Sequence, residues 1–124
     1  MRICVTSQGN TLQSQVDPRF GRCAYFILIE TDTMEFEAIE NTKAQVMGGA
    51  GVQSGQLMAE KDVKAVLTGN VGPNAYQTLN AGGIEIITGV SGTIQEAVEK
   101  YKKGDFKPTG GANVESHFGM KGGN

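Results

Sequence analysis

The sequence predicts an α/β domain on a mixed five-stranded sheet, with hairpin strands first, then alternating helices and strands, and helices on both faces. Three observations carry that prediction. Up to Glu40 the apolar runs have strand-like composition and are joined by polar turns. From Gly51 to Tyr101, helical spacings alternate with short apolar runs. Glycine-rich turns stand between these later strands and helices.

The elements follow in order. Arg2 to Ser7 is rich in strand formers (Ile3, Val5, Thr6) and alternates poorly, as a strand buried on both faces does. A polar loop from Gln8 to about Gly21 ends in Asp-Pro-Arg-Phe-Gly, and Cys23 to Thr31 is a strongly apolar strand. Asp32 and Thr33 supply a turn into Met34 to Glu40, whose alternation of Met34, Phe36 and Ala38 with Glu35 and Glu37 suits an antiparallel partner with one wetter face. After Gly48-Gly-Ala-Gly51 a helix is expected to about Lys61, with Val52, Gly55, Met58 and Ala59 inward. Val63 to Thr68 is a buried strand. Pro73 opens the next helix, with Tyr76 and Leu79 inward and Gly82-Gly83 at its end. Ile84 to Thr88 is the last strand. Ile94, Ala97, Val98 and Tyr101 mark the last helix, with Thr93 and Glu96 as a capping box. The domain is expected over 1–104, and 105–124 as a loosely held glycine-rich tail.

The chain has 124 residues and a formal net charge of -2 with scattered signs, which argues against a nucleic-acid partner. It shows no basic leader with a cleavage site and no long hydrophobic stretch, so no membrane association and a cytoplasmic location are expected. Two cysteines, Cys4 and Cys23, are too few for a disulfide framework. No heptad pattern points to an oligomer.

Hairpins early and helical crossovers late place the first strand at the centre, the second antiparallel to it, and the third, fourth and fifth parallel to it, a ribonuclease H-like arrangement. The loops Asp17 to Cys23, Gly48 to Gly51, Gly69 to Gly72 and Ser91 to Thr93 then open on one edge, where ligands of such sheets bind. Three helix N-termini are expected there, each with unpaired N–H groups and a partial positive charge, so the expected ligand is an anion. Glycines before helices are also ordinary turn and cap residues; the ligand reading rests on their convergence.

Asp17-Pro-Arg-Phe-Gly-Arg-Cys-Ala-Tyr-Phe26, Gly48-Gly-Ala-Gly51, Thr68-Gly-Asn-Val-Gly-Pro-Asn-Ala75 and Gly89-Val-Ser-Gly-Thr93, in that order, resemble the dinitrogenase iron-molybdenum cofactor biosynthesis family. The resemblance implies a ribonuclease H-like fold and a carrier or accessory role for iron-molybdenum or iron-sulfur precursors, with cofactor-assembly proteins as partners. Where some nitrogen-fixation members have histidine before Phe-Gly, this chain has Arg19. The expected cofactor-binding residues are Arg19, Phe20, Gly21, Arg22, Gly48, Gly49, Ala50, Gly51, Gly69, Asn70, Gly72, Ser91, Gly92 and Thr93.

Cys23 is the candidate thiolate ligand, with Arg19 and Arg22 placed to lower its pKa; burial for packing is the competing reading. Cys4 reads as a core thiol. His117, in the tail, is a weaker candidate ligand, and Met47 and Met120 are soft donors whose ordinary role is to fill gaps. The first strand offers no carboxylates for metal-dependent nuclease chemistry, and one histidine assembles no triad, so a binding protein rather than an enzyme is expected. Two alternatives stand beside a metal-sulfur carrier: a phosphate or nucleotide module, which helix N-termini also suit, and a regulatory domain binding a partner at the hairpin edge.

Overall fold

The computed structural model describes residues 1–42 and 49–108. Five strands, β1 (Arg2–Ser7), β2 (Tyr25–Glu30), β3 (Phe36–Glu40), β4 (Ala65–Leu67) and β5 (Glu85–Ile87), form one sheet in the order β3-β2-β1-β4-β5. β1 is central: it pairs antiparallel with β2 and parallel with β4, while β3 closes the hairpin on β2 and β5 runs parallel to β4. The helices are α1 (Ala50–Glu60), α2 (Pro73–Ala81) and α3 (Ile94–Lys102).

The period-two alternation of strands divides the core into two layers. Cys4, Phe26, Leu28, Val66 and Ile86 face α1 and α2, where Met58, Ala75 and Leu79 meet them. Ile3, Val5, Ile27, Ile29, Leu67 and Ile87 face α3 and pack on Ile94, Ala97 and Val98. Because helices cover both faces, the central strands show continuous apolar runs, as their sequences predict.

Three local expectations are corrected. β2 begins at Tyr25 rather than Cys23, since Cys23 still belongs to the preceding loop. The β2–β3 turn is wider than Asp32-Thr33: Met34 takes a left-handed φ of 64° and donates its N–H to the Glu30 carbonyl at 2.8 Å. β3 is wet on both faces as an edge strand, with Phe36 exposed and Ala38 and Ile39 half-buried.

The inward face of α1 also differs. Ala50, Ser54, Gly55 and Met58 are buried, whereas Val52 is half-buried and Ala59 exposed. The cause is small-residue packing against α2. A Cβ at Gly51 would lie 2.9 Å from Ala75 Cβ, and one at Gly55 would lie 2.7 Å from Thr78 Cγ2. The glycine row brings the two helices together.

Candidate anion-binding pocket

The loop after β1 turns back on the strand that precedes it. Val16 bridges to Ser7, and Asp17 donates its N–H to the Thr6 carbonyl at 2.9 Å. The buried Asp17 carboxylate then accepts from the Arg19 N–H at 3.0 Å and from Arg19 Nε at 3.2 Å. This contact raises the Arg19 pKa, chiefly through the hydrogen bond and then through the Asp17 charge. Arg19 is therefore an exposed cation already paired with a carboxylate.

Contacts with the β4–α2 loop fix the next residues. Phe20 donates its N–H to the Asn70 carbonyl at 3.2 Å, and Asn70 Nδ2 donates to the Pro18 carbonyl at 3.1 Å. Gly69 is buried beneath Pro18: a Cβ there would meet Pro18 Cα at 2.7 Å. Gly21, at φ 90°, is buried against the first turn of α1, where a Cβ would stand 3.1 Å from Gly51 Cα. Gly21 and Gly69 thus serve close backbone approach. Phe20 packs in the core, its ring tilted against Phe26 with centroids 6.0 Å apart.

Around this tightly joined loop are two adjoining hollows. One, of about 200 Å³, is lined by Phe20, Arg22, Gly49, Ala50, Gly51, Gly72, Pro73, Asn74 and Ala75. The other, of about 240 Å³, is lined by Arg19, Phe20, Arg22, Asn70 and Gly72. Phe20, Arg22 and Gly72 are common to both. The first turns of α1 and α2 reach the first hollow together, and their N-cap residues, Gly49 and Gly72, have no side chain with which to cap them. Each such helix end carries a positive partial charge of about half a unit, which favours an anion.

Ser91, Gly92 and Thr93 lie at the same edge of the sheet, but Ser91 and Gly92 line a different hollow, with Glu96, Glu99, Lys100 and Lys103, and Thr93 caps α3. The N-terminus of α3 is already engaged by the protein. Thr93 Oγ1 accepts from the Glu96 N–H at 3.1 Å, and Glu96 Oε1 accepts from the Thr93 N–H at 2.9 Å, which is the expected capping box. Ile94 and Gln95 donate to the carbonyls of Ser14 and Leu12. Two helix N-termini, not three, therefore meet at the pocket shared by Phe20 and Arg22. α3 lies on the opposite face, and its first N–H groups hold the 8–16 loop.

Cys23 differs from its expected activation. Its thiol is fully buried in the α1–α2 layer and its pKa is pushed up to about 12, first by burial and then by the Asp17 charge. Backbone and Asn41 hydrogen bonds oppose that rise only in part. Proximity to arginines, the basis for expecting a thiolate, is outweighed by desolvation and the Asp17 charge. Cys4 is likewise fully buried and raised well above its ordinary value by burial, in keeping with a core thiol. Among the described residues, no group of three or more His, Cys, Asp or Glu side chains could hold a metal ion. Met47, Gly48, His117 and Met120 lie outside the described residues.

Pro73, Asn74 and Ala75 join the pocket without having been expected in it. Their signal was Gly72-Pro73, which marks the start of α2 and so places the following residues in its first turn.

No helix among the described residues is long and apolar enough to cross a membrane. The orange protein of Desulfovibrio gigas, whose structure is of its apo form, shares 37% identity and a TM-score of 0.88, over 91% of this chain and 96% of that one. A Thermotoga protein of the DUF35 family, described as a candidate NifB protein, shares 33% identity and a TM-score of 0.77 over 98% of each chain. An uncharacterized protein of Methanocaldococcus jannaschii is 33% identical over 110 residues, 86% of this chain and 90% of its own length. The family model described as dinitrogenase iron-molybdenum cofactor matches residues 1–104, and the chain belongs to that family.

Proposed function

We propose that this protein is a non-enzymatic carrier or accessory protein that holds an anionic metal-sulfur cofactor or its precursor at the pocket between the first turns of α1 and α2. The observation that carries the reading is the meeting of two helix N-termini whose N-caps lack side-chain capping bonds, Gly49 and Gly72, with Arg22 on the same lining. Membership of the cofactor family supports the metal-sulfur identity of the anion, and likeness to a protein that has an apo form supports a bound group.

The donor set fits such a cargo in one way and not in another. Backbone N–H groups and the arginine can hold the outer sulfur atoms of a cluster by hydrogen bonds and charge. Direct thiolate ligation by Cys23 does not fit, because that sulfur is fully buried in the core, where burial disfavours the thiolate. The cargo is held as an intact anion, and its binding requires no described cysteine.

Titrating tetrathiomolybdate, a compact molybdenum-sulfur anion, into anaerobic full-length protein tests the reading. Expected is comigration of the chromophore with the protein on gel filtration, with weaker competition by phosphate and by ATP. Passage of the chromophore through the column unretained, with ATP raising the melting temperature, contradicts the metal-sulfur reading and favours phosphate.

A further inference from the structure

A second cavity, of about 400 Å³, lies between α1 and the β2–β3 hairpin, away from the Phe20–Arg22 pocket. Its floor is apolar, made by Phe26, Ile39 and Leu57, and its volume is within the usual range for small-molecule sites. Ser54 lines it from α1 and is itself 3% exposed. The Ser54 hydroxyl is buried without any hydrogen-bond partner. A hydroxyl in that condition forfeits its hydration without recompense, and a native fold ordinarily pairs such a group.

Charge narrows the occupant. Glu40 and Glu60 stand on the lining, with the carboxamides of Gln53 and Gln56, and the described lining residues include no lysine or arginine. The two carboxylates favour a cationic ligand over the anion taken by the other pocket. The cavity wall is also well held, since Asn41 Nδ2 donates to the carbonyls of Cys23 at 2.9 Å and Gly21 at 3.1 Å.

We propose that this cavity is a second binding site, for a small organic amine with an apolar body. The body lies on Phe26, Ile39 and Leu57, the ammonium group is drawn by Glu40 and Glu60, and a polar atom of the ligand pairs the Ser54 hydroxyl. The inference is independent of the metal-sulfur reading, because it involves other residues and the opposite charge.

The test is a backbone amide NMR titration of the full chain with 2-phenylethylamine and, separately, with 3-phenylpropanoate. Saturable shifts centred on Ile39, Glu40, Gln53, Ser54 and Leu57 are expected with the amine, and binding about tenfold weaker or absent with the carboxylate. Ser54→Ala is expected to weaken amine binding about fivefold, and Glu40→Gln to narrow the preference for amine over carboxylate. Three results overturn the proposal: no saturable shifts at those residues, equal binding of the two probes, or undiminished amine binding by Ser54→Ala. The last outcome assigns the hydroxyl to an internal water. Should either variant fold poorly, the comparison of the two probes on the unaltered protein decides alone.

Discussion

At the scale of single residues, the site separates charge from reactivity. Arg22 lines both adjoining hollows, and Arg19, which is paired with the buried Asp17, lines one of them. Arg22→Ala is therefore expected to weaken tetrathiomolybdate binding about tenfold, roughly 1.4 kcal/mol, and Cys23→Ser to leave it within about twofold. Equilibrium titration of both variants checks this, and a large loss in Cys23→Ser would restore the thiolate as a ligand. The raised thiol pKa has a further consequence with a definite sign. Cys23 moves from an ordinary 9.0 to about 12, so above about pH 9 the unfolded chain loses a proton that the folded chain keeps. Stability must fall as pH rises from about 9 to 12, and Cys4 and Tyr101, also raised, act in the same direction. Denaturant midpoints measured across that range are expected to decline, with a shallower decline in Cys23→Ser. Cys23 was legible in the sequence as an edge residue for which ligation and burial stood side by side, and the structure buries it. Its neighbours Phe20 and Asn41 close over it only once the loop has folded back.

At the scale of elements, the pocket exists because α1 and α2 touch through small residues. A Cβ on Gly51 would stand 2.9 Å from that of Ala75, closer than real Cβ atoms approach. Gly51→Ala is expected to cost about 1–3 kcal/mol by overpacking and to lower the melting temperature by several degrees. It should also weaken anion binding by spreading the helix ends, and adding Ala75→Gly should recover both properties. Calorimetry and titration of the single and double variants check the pairing. On α3 the same logic gives a control. Thr93→Ala removes a cap and is expected to cost about 1 kcal/mol with anion affinity unchanged. The Thr93–Glu96 box, Pro73 at a helix start and the Gly82-Gly83 stop were legible because each is a local backbone device. The inward face of α1 was not, since Gly51 and Gly55 pack by lacking side chains and give no hydrophobic period to read.

For the whole molecule, topology determines which loops can share a ligand. The sheet order and strand directions followed from hairpins preceding crossovers, and the sequence placed all the glycine-rich loops at one edge. Helices on both faces were expected, but which helix takes which face was not assigned. α1 and α2 cover one face and α3 the other, so Ser91 to Thr93 reaches the same edge from the far side, and Ser91 and Gly92 line their own hollow. Several of the glycines that drew attention are contacts between chain segments: Gly69 under Pro18, Gly21 on Gly51, Gly51 on Ala75. They shape the pocket by allowing its walls to approach. With a net charge of only -2, no broad field gathers the anion, and attraction depends on helix ends and arginine near the surface. Affinity for tetrathiomolybdate should accordingly fall as sodium chloride is raised through the range where the screening length drops from about 10 Å to 3 Å. Salt-independent affinity would point to apolar rather than electrostatic capture.

Amide chemical-shift mapping of the full chain with tetrathiomolybdate examines the shared pocket residue by residue. The account predicts the largest perturbations at Arg22, at 49–52 and at 74–75, with Thr93 to Glu96 unmoved. Perturbations concentrated on the α3 start, or none at the first turns of α1 and α2, would contradict it.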